Sequence, residues 1–257
     1  MHPILFKIGP LTIYTYGVLV ATGFLLGLGL AVKYAKRQGV SPNKIVDLGF
    51  YILLSALIGS RLFYIFINIS HFIKNPIDIF KIWEGGLVFY GGVILTVPAF
   101  LWYVRKNSLG VWSTSDIFAP SLAIGHAVGR IGCFFAGCCY GKPAEGLPWA
   151  IVFTNPESLA RIGIPLHPTQ LYESIGEFIN FFVLITLRRY KSFNGQIFMT
   201  YILLYSVLRF IVEFYRGDSN RGFVTSWLSI SQGISILMFL AAIIGIIILK
   251  RHRETSS

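Results

Sequence analysis

Tyr205, Arg209 and Glu213 recur every four residues in YSVLRFIVEFYR, a spacing that sets all three on one face of a helix. Arg130 stands in a second apolar segment, GHAVGRIG. A guanidinium is a planar fork that grips phosphate through two parallel hydrogen bonds. Two forks from different segments, one steadied by an acid, suit a clamp for an anionic molecule embedded in lipid, and a phospholipid is the obvious candidate. Arg216 follows seven residues after Arg209. The plain alternative is ion pairing that only fixes helix packing. For Arg61 in GSRLFY and Glu177 in QLYESIGE the two readings stand side by side. Arg130 adds a second guanidinium from another segment, and the intramembrane acids need not consume it.

Groups able to take a proton or donate a hydrogen bond are more numerous: Tyr14, Tyr16, Tyr90, His126, His167 and Tyr172. A histidine could act as a base near neutral pH without a large shift in its pKa. The residue types alone do not rank these six. Cys133, Cys138 and Cys139 lie within seven residues. Their odd number argues against a disulfide framework, and the spacing is not CxxC, so neither metal nor cofactor is expected. Small-hydrophobe packing is the expected role of these thiols.

Such charges need elements that carry them through an apolar medium. Only 13% of the 257 residues are charged, about half the usual share. Residues 8–32, 85–104 and 222–249 hold no Lys, Arg, Asp or Glu. About 20 apolar residues span a bilayer as a helix. The fold class expected is an all-α polytopic membrane protein of seven spans: 12–32, 46–67, 86–104, 116–137, 170–187, 196–215 and 227–249. Met1–Pro10 carries one Lys and no cleavage-site pattern, so the first span is expected to be retained. The net charge of +11 does not mark a nucleic-acid binder, because the basic residues sit in short clusters between apolar runs.

Those clusters set the orientation. Lys33, Lys36, Arg37, Lys44, Arg105, Lys106, Arg188, Arg189, Lys191, Lys250, Arg251 and Arg253 all fall on one side of the expected topology. The positive-inside rule then puts the N-terminus outside and the C-terminus in the cytoplasm. One transmembrane domain, 1–257, is expected, with an outer arm at 68–85 (Asn68, Asn75, Pro76, Trp83) and a small outer head at 139–168. Trp149 and Ile151–Phe153 could supply the head with a short strand. Gly125, Gly129 and Gly132 give the small-residue spacing of close helix contacts, and Gly85–Gly86 and Gly91–Gly92 suggest a sharp entry or a close backbone approach to ligand.

Six blocks in order, IYTYGVL, GSRLFY, WEGGLVFYGG, GRIGCFFAGCCYG, LHPTQLYE and YSVLRFIVEFYR, resemble the bacterial prolipoprotein diacylglyceryl transferases along nearly the whole chain. The resemblance implies transfer of the diacylglyceryl group of phosphatidylglycerol to the lipobox cysteine of a prolipoprotein, giving a thioether and glycerol phosphate, the first step of lipoprotein maturation. It implies a multi-pass protein of the bacterial inner membrane, acting as a monomer with its active site toward the periplasm. It places the lipid-binding arginine on Arg130, the essential sixth-span residues on Tyr205, Arg209 and Glu213, the first-span tyrosine on Tyr16, and the signature glycine on Gly141. Arg61, His167 and Arg216 complete the expected substrate-binding set.

This chain has Tyr90 where the family often has a histidine before Gly-Gly. It also has Cys133 in place of Asn and Cys138 in place of an acid. A phenol, with a reference pKa near 10, is a poor resting base but can donate or relay a hydrogen bond. Tyr90 is therefore expected to assist a mechanism that rests mainly on the arginines. A transporter for an organic anion or phospholipid, and a non-catalytic assembly factor, are the alternatives; neither would leave a covalent product.

Overall fold

The computed structural model describes residues 1–9, 11–81, 85–217, 222, 225 and 228–256. Trp83 and Glu84 of the expected arm, and Trp227 at the start of the expected seventh span, lie outside them. The chain divides into two compact units, Met1–Ala31 with Ser115–Ser257, and Val32–Thr114.

The first unit opens with a hairpin, β1 (Ile4–Ile8) and β2 (Leu11–Tyr14), that runs straight into α1 (Thr15–Arg37). The span expected from residue 12 therefore begins three residues later, and its first residues are strand. An apolar strand and the start of an apolar helix look alike in hydropathy, which explains the difference. Antiparallel to α1 lies α5 (Val111–Ala136). A Cβ on Gly23 would come within 2.8 Å of the Gly125 carbonyl oxygen, one on Gly27 equally near that of Ser121, and Gly132 backs onto Tyr16 and Leu19. Glycine is what lets these two backbones touch. Gly129 faces open space and lies off this seam.

The expected head is folded. In it β3 (Ile151–Val152) pairs antiparallel with β4 (Pro165–Leu166), over a small core of Phe153, Ala160 and Leu166. Met1 packs on that core, and its carbonyl accepts a hydrogen bond from Asn155 Nδ2 at 3.2 Å. Lys7 reaches Glu157 at 3.4 Å, so the N-terminal hairpin and the head are tied together.

Three helices complete the unit: α6 (Thr169–Leu187), α7 (Gln196–Glu213) and α8 (Ile230–Ser256). One end of α5, α6 and α7 is gathered on Asp116, which is fully buried. Its carboxylate accepts from the backbone N–H groups of Gly195 (2.7 Å) and Phe198 (2.9 Å) at the start of α7, and pairs with Lys191 at 2.9 Å. Its carbonyl accepts from Arg188, just past α6, at 3.0 Å. An anion belongs there, because the first turn of a helix leaves N–H groups without partners.

The second unit holds α2 (Pro42–Ile67) and α4 (Phe89–Lys106), an antiparallel pair in which Gly59, Gly91 and Gly92 permit close contact. Between them runs the expected arm, a short α3 (Ile69–Lys74) followed by a 3-10 turn at Pro76–Phe80. Ile73, Ile77 and Phe80 of the arm are about three-quarters exposed, as suits a segment lying in an apolar medium.

Among the described residues five helices are long and apolar enough to cross a membrane: Thr15–Arg37, Pro42–Ile67, Val111–Ala136, Gln196–Glu213 and Ile230–Arg253. α4 and α6 are of spanning length, 18 and 19 residues, but more polar. In α6 the reason is visible: Gln170, Glu173, Ser174, Glu177 and Asn180 are all buried, so its polar stripe faces protein.

Candidate active site

Asp116 acts as a common origin for the helices that carry the functional side chains. Arg130 lies fourteen residues beyond Asp116 on α5, and Arg209 fourteen beyond Gly195 on α7. Glu173 lies fifteen before Arg188 on α6. At 1.5 Å per residue each is about 21–22 Å from the shared end. Helices measured from one point thus bring two arginines and one glutamate to the same height.

They meet there. Arg130 Nη2 sits 2.8 Å from Glu173 Oε1, and Arg209 Nη1 is 3.6 Å from Glu173 Oε2, so one carboxylate lies between two guanidiniums. Arg209 Nη2 also pairs with Glu213 Oε2 at 2.9 Å and donates to Ser231 Oγ at 3.1 Å. Glu173 and Glu213 are almost fully buried. Arg130 is thus held by an intramembrane acid, Glu173. That acid was within reach of sequence reasoning, since Gln170, Glu173 and Glu177 repeat at helical spacing, but the sequence does not show which arginine such an acid meets.

His126 was one of six candidates with no order among them, and it lies inside this cluster. Arg130 Nε donates to His126 Nε2 at 3.1 Å, so that nitrogen is an acceptor and the ring proton sits on Nδ1. His126 Nδ1 is 3.7 Å from Glu177 Oε1, which accepts from Asn180 Nδ2 at 3.4 Å. Tyr205 lies with its ring centroid 5.3 Å from that of His126 and stacks on Tyr201. Arg130, Arg209, Glu213 and Tyr205 therefore come together as the sequence suggests, with Glu173, His126 and Glu177 added. An apolar crevice runs along α7 and α8 on a different face of α7 from Arg209, lined by Val207, Phe210, Ile211, Ile236, Phe239 and Leu240.

The remaining candidates of this unit sit at the ends of these helices away from Asp116. Gly141 pairs with Arg216 as an isolated bridge, and its N–H donates to the His167 carbonyl at 3.0 Å. A Cβ on Gly141 would strike His167 and the Tyr215 carbonyl, so glycine is required where these segments cross. His167 Nδ1 is 3.2 Å from the Tyr172 hydroxyl, which accepts from Trp149 Nε1 at 2.8 Å. Tyr16 stands beside Gly132, two residues past Arg130. Just past α5, hydrogen bonding with Cys133 and Cys138 draws the Cys139 thiol below the ordinary thiol range; Arg130 and Arg216 add to this, against the effect of burial.

Arg61 and Tyr90 belong to the second unit. Tyr90 is partly exposed, with its ring against Phe89. Arg61 is buried, and its guanidinium is surrounded by backbone carbonyls. Nε donates to Ile79 (3.0 Å), Nη1 to Gly85 (2.8 Å) and Gly86 (3.2 Å), and Nη2 to Lys81 (3.2 Å) and Asp78. At Gly86 the backbone closes on protein side chains, because a Cβ there would collide with Arg61 and Tyr64.

A family model described as prolipoprotein diacylglyceryl transferase matches residues 3–248. A phosphatidylglycerol–prolipoprotein diacylglyceryl transferase of Clostridium tetani is 40% identical over 98% of this chain and 98% of its own length. Proteins of the same description from Finegoldia magna (38% identical, 95% of this chain, 94% of their own) and Bordetella bronchiseptica (37%, 94% and 92%) are similar along nearly their whole lengths.

Proposed function

The chain belongs to the prolipoprotein diacylglyceryl transferase family, and on that footing we propose which of its residues carry the reaction. It is an integral membrane enzyme that transfers the diacylglyceryl group of phosphatidylglycerol to the cysteine thiol of a prolipoprotein. Arg130 and Arg209 bind the lipid phosphate. The observation that carries this role is the Glu173 carboxylate, a flat anion bridging the two guanidiniums at 2.8 and 3.6 Å. A phosphodiester presents two oxygens in the same way and can replace one guanidinium–carboxylate contact with another anion contact of the same kind. Glu213 orients Arg209 from the adjoining turn. The crevice along α7 and α8 is suited to an acyl chain.

In the reaction the prolipoprotein thiol loses its proton and sulfur attacks the glyceryl carbon bonded to the phosphate oxygen. The carbon–oxygen bond breaks with its electron pair going to phosphate, so the products are a thioether and glycerol phosphate, and the thiol proton passes to the released phosphate or to water. The two guanidiniums stabilise the charge growing on the departing phosphate. A guanidinium beside the incoming sulfur also favours thiolate, whose reference pKa is near 8.5. Tyr205 and Tyr90 act as hydrogen-bond donors or relays in this reading. Tyr16, Gly141, His167 and Arg216 serve the substrate-binding side; Arg61, which the resemblance sets among them, is held by backbone carbonyls and fixes the arm instead.

We read the chain as seven crossings, α1, α2 and α4 to α8, with the N-terminus outside and the basic clusters in the cytoplasm of a bacterial inner membrane. The arm and head then lie on the periplasmic side, where prolipoproteins arrive, and the enzyme acts as a monomer. The decisive experiment incubates the purified chain with phosphatidylglycerol vesicles and a lipobox peptide. A peptide gaining the mass of a diacylglyceryl group, with matching glycerol phosphate release, is expected. Lipid movement with an unmodified peptide is the transporter's result and would overturn the assignment.

A further inference from the structure

The Sγ atoms of Cys133, Cys138 and Cys139 all lie within 4.8 Å of one another. With metal–sulfur bonds of about 2.3 Å, three thiolates around one ion stand about 4 Å apart, so a shift of under about 1 Å would let them share it. We propose that these three cysteines form a three-thiolate site for a soft divalent cation of the zinc type.

The surroundings hold the thiols in this arrangement. Cys133 is on the last turn of α5, and the chain then doubles back through Gly137, at φ 78°, so that Cys138 and Cys139 face it. Cys139 itself sits at φ 59°, a conformation a non-glycine residue keeps only when its surroundings enforce it. Those surroundings are the first turn of α6. Gln170 Nε2 donates to the Cys138 carbonyl and Thr169 Oγ1 to that of Cys139, both at 2.7 Å, and both side chains are almost completely buried. A side chain on Gly137 would run into Ser158, which closes the turn from the other side.

The donor set selects the ligand. All-sulfur coordination favours thiophilic ions over Mg²⁺ or Ca²⁺, which take oxygen. An iron–sulfur cluster needs four ligands, and among the described residues no His, Asp or Glu joins these three. Three protein ligands leave one position open, the pattern of reactive rather than purely structural zinc sites. A divalent ion on three thiolates carries a net charge of −1, which is compatible with Arg130 one turn back on α5. The sequence spacing argued against a metal because it is not CxxC; here the turn at Gly137 produces the convergence that CxxC produces elsewhere. The site stands independently of the lipid reading.

The test uses the reduced, detergent-solubilised chain titrated with Cd²⁺. One equivalent per chain is expected, with thiolate-to-metal charge-transfer absorbance of three-thiolate intensity, and Zn²⁺ in excess should suppress it. Cd²⁺ should also protect all three cysteines from alkylation, counted by mass spectrometry. Cys133→Ser should cut the absorbance to that of two thiolates and weaken binding by about tenfold or more. Alkylation of the wild-type chain at the same rate with and without Cd²⁺ would overturn the proposal, and so would undiminished binding by a helical Cys133→Ser protein. The alkylation arm needs no variant, so it decides even where the serine variant does not fold.

Discussion

Two arginines on long apolar helices, Arg61 and Arg130, have opposite surroundings. Arg61 sends its donors to five backbone carbonyls, neutral groups fixed in place by the chain that carries them. Arg130 meets a carboxylate and an imidazole, both on side chains, and that carboxylate is shared with Arg209 at the longer distance of 3.6 Å. Carbonyls held by a turn cannot leave without unfolding it, and no anion would replace them. A carboxylate on a side chain can rotate away and be replaced by a phosphate of like charge. The burial of a guanidinium thus says little about its use; the mobility and charge of its partners say more.

Arg130→Ala makes the sharpest trial of that contrast. Diacylglyceryl transfer should fall by about 10³-fold with helical content intact; near-normal activity would break the clamp reading. Arg209→Lys keeps the charge and loses the planar fork, and transfer should drop by about 10²-fold, chiefly in kcat. An unaffected Arg209→Lys enzyme would reduce Arg209 to a point charge. Arg61→Lys should show itself in stability, with a loss of about 3 kcal/mol from carbonyls left without donors, while the KM for phosphatidylglycerol holds. A raised KM at unchanged Tm would return Arg61 to the substrate-binding set.

The smallest effect belongs to the arm around Arg61. Hydrogen bonding from Lys81, then from His71, holds the Asp78 carboxyl below its ordinary value of 3.8. A depressed folded-state pKa means that this stabilisation is present above the unfolded value and is lost as pH falls through the lower folded one. Asp78 is partly exposed and its ion pair is reached by solvent, so amide exchange in α3 and the 3-10 turn should quicken only slightly, and only in that acid window. Lys81→Ala should move the window upward, and an unmoved window would remove Lys81 as its cause.

Much of this was legible in the sequence, for identifiable reasons. Uncharged runs and clustered lysines and arginines report helices and their order, because the cost of charge in lipid is written residue by residue. Tyr205, Arg209 and Glu213 were readable as one face because helical periodicity is local. Glu173 was visible as a buried acid but not as the partner of Arg130, since which helices become neighbours is a property of packing. The Ile4–Tyr14 hairpin was hidden because apolar content does not distinguish strand from helix over so few residues. The cysteine convergence depended on a positive-φ turn at Gly137, and spacing rules carry no backbone angles.

The buried Asp116 joint gives the molecule a ruler. Because Arg130 and Arg209 stand the same number of residues from it, an insertion in either intervening stretch acts as a phase error, turning the downstream guanidinium by about 100° and lifting it by about 1.5 Å. Matching insertions on both helices would restore equal height but still turn both forks away from Glu173. Sequence length between Asp116 and Arg130, and between Gly195 and Arg209, is therefore under tighter constraint than the identity of most residues along the way, while length changes in the 139–168 head leave the gauge untouched.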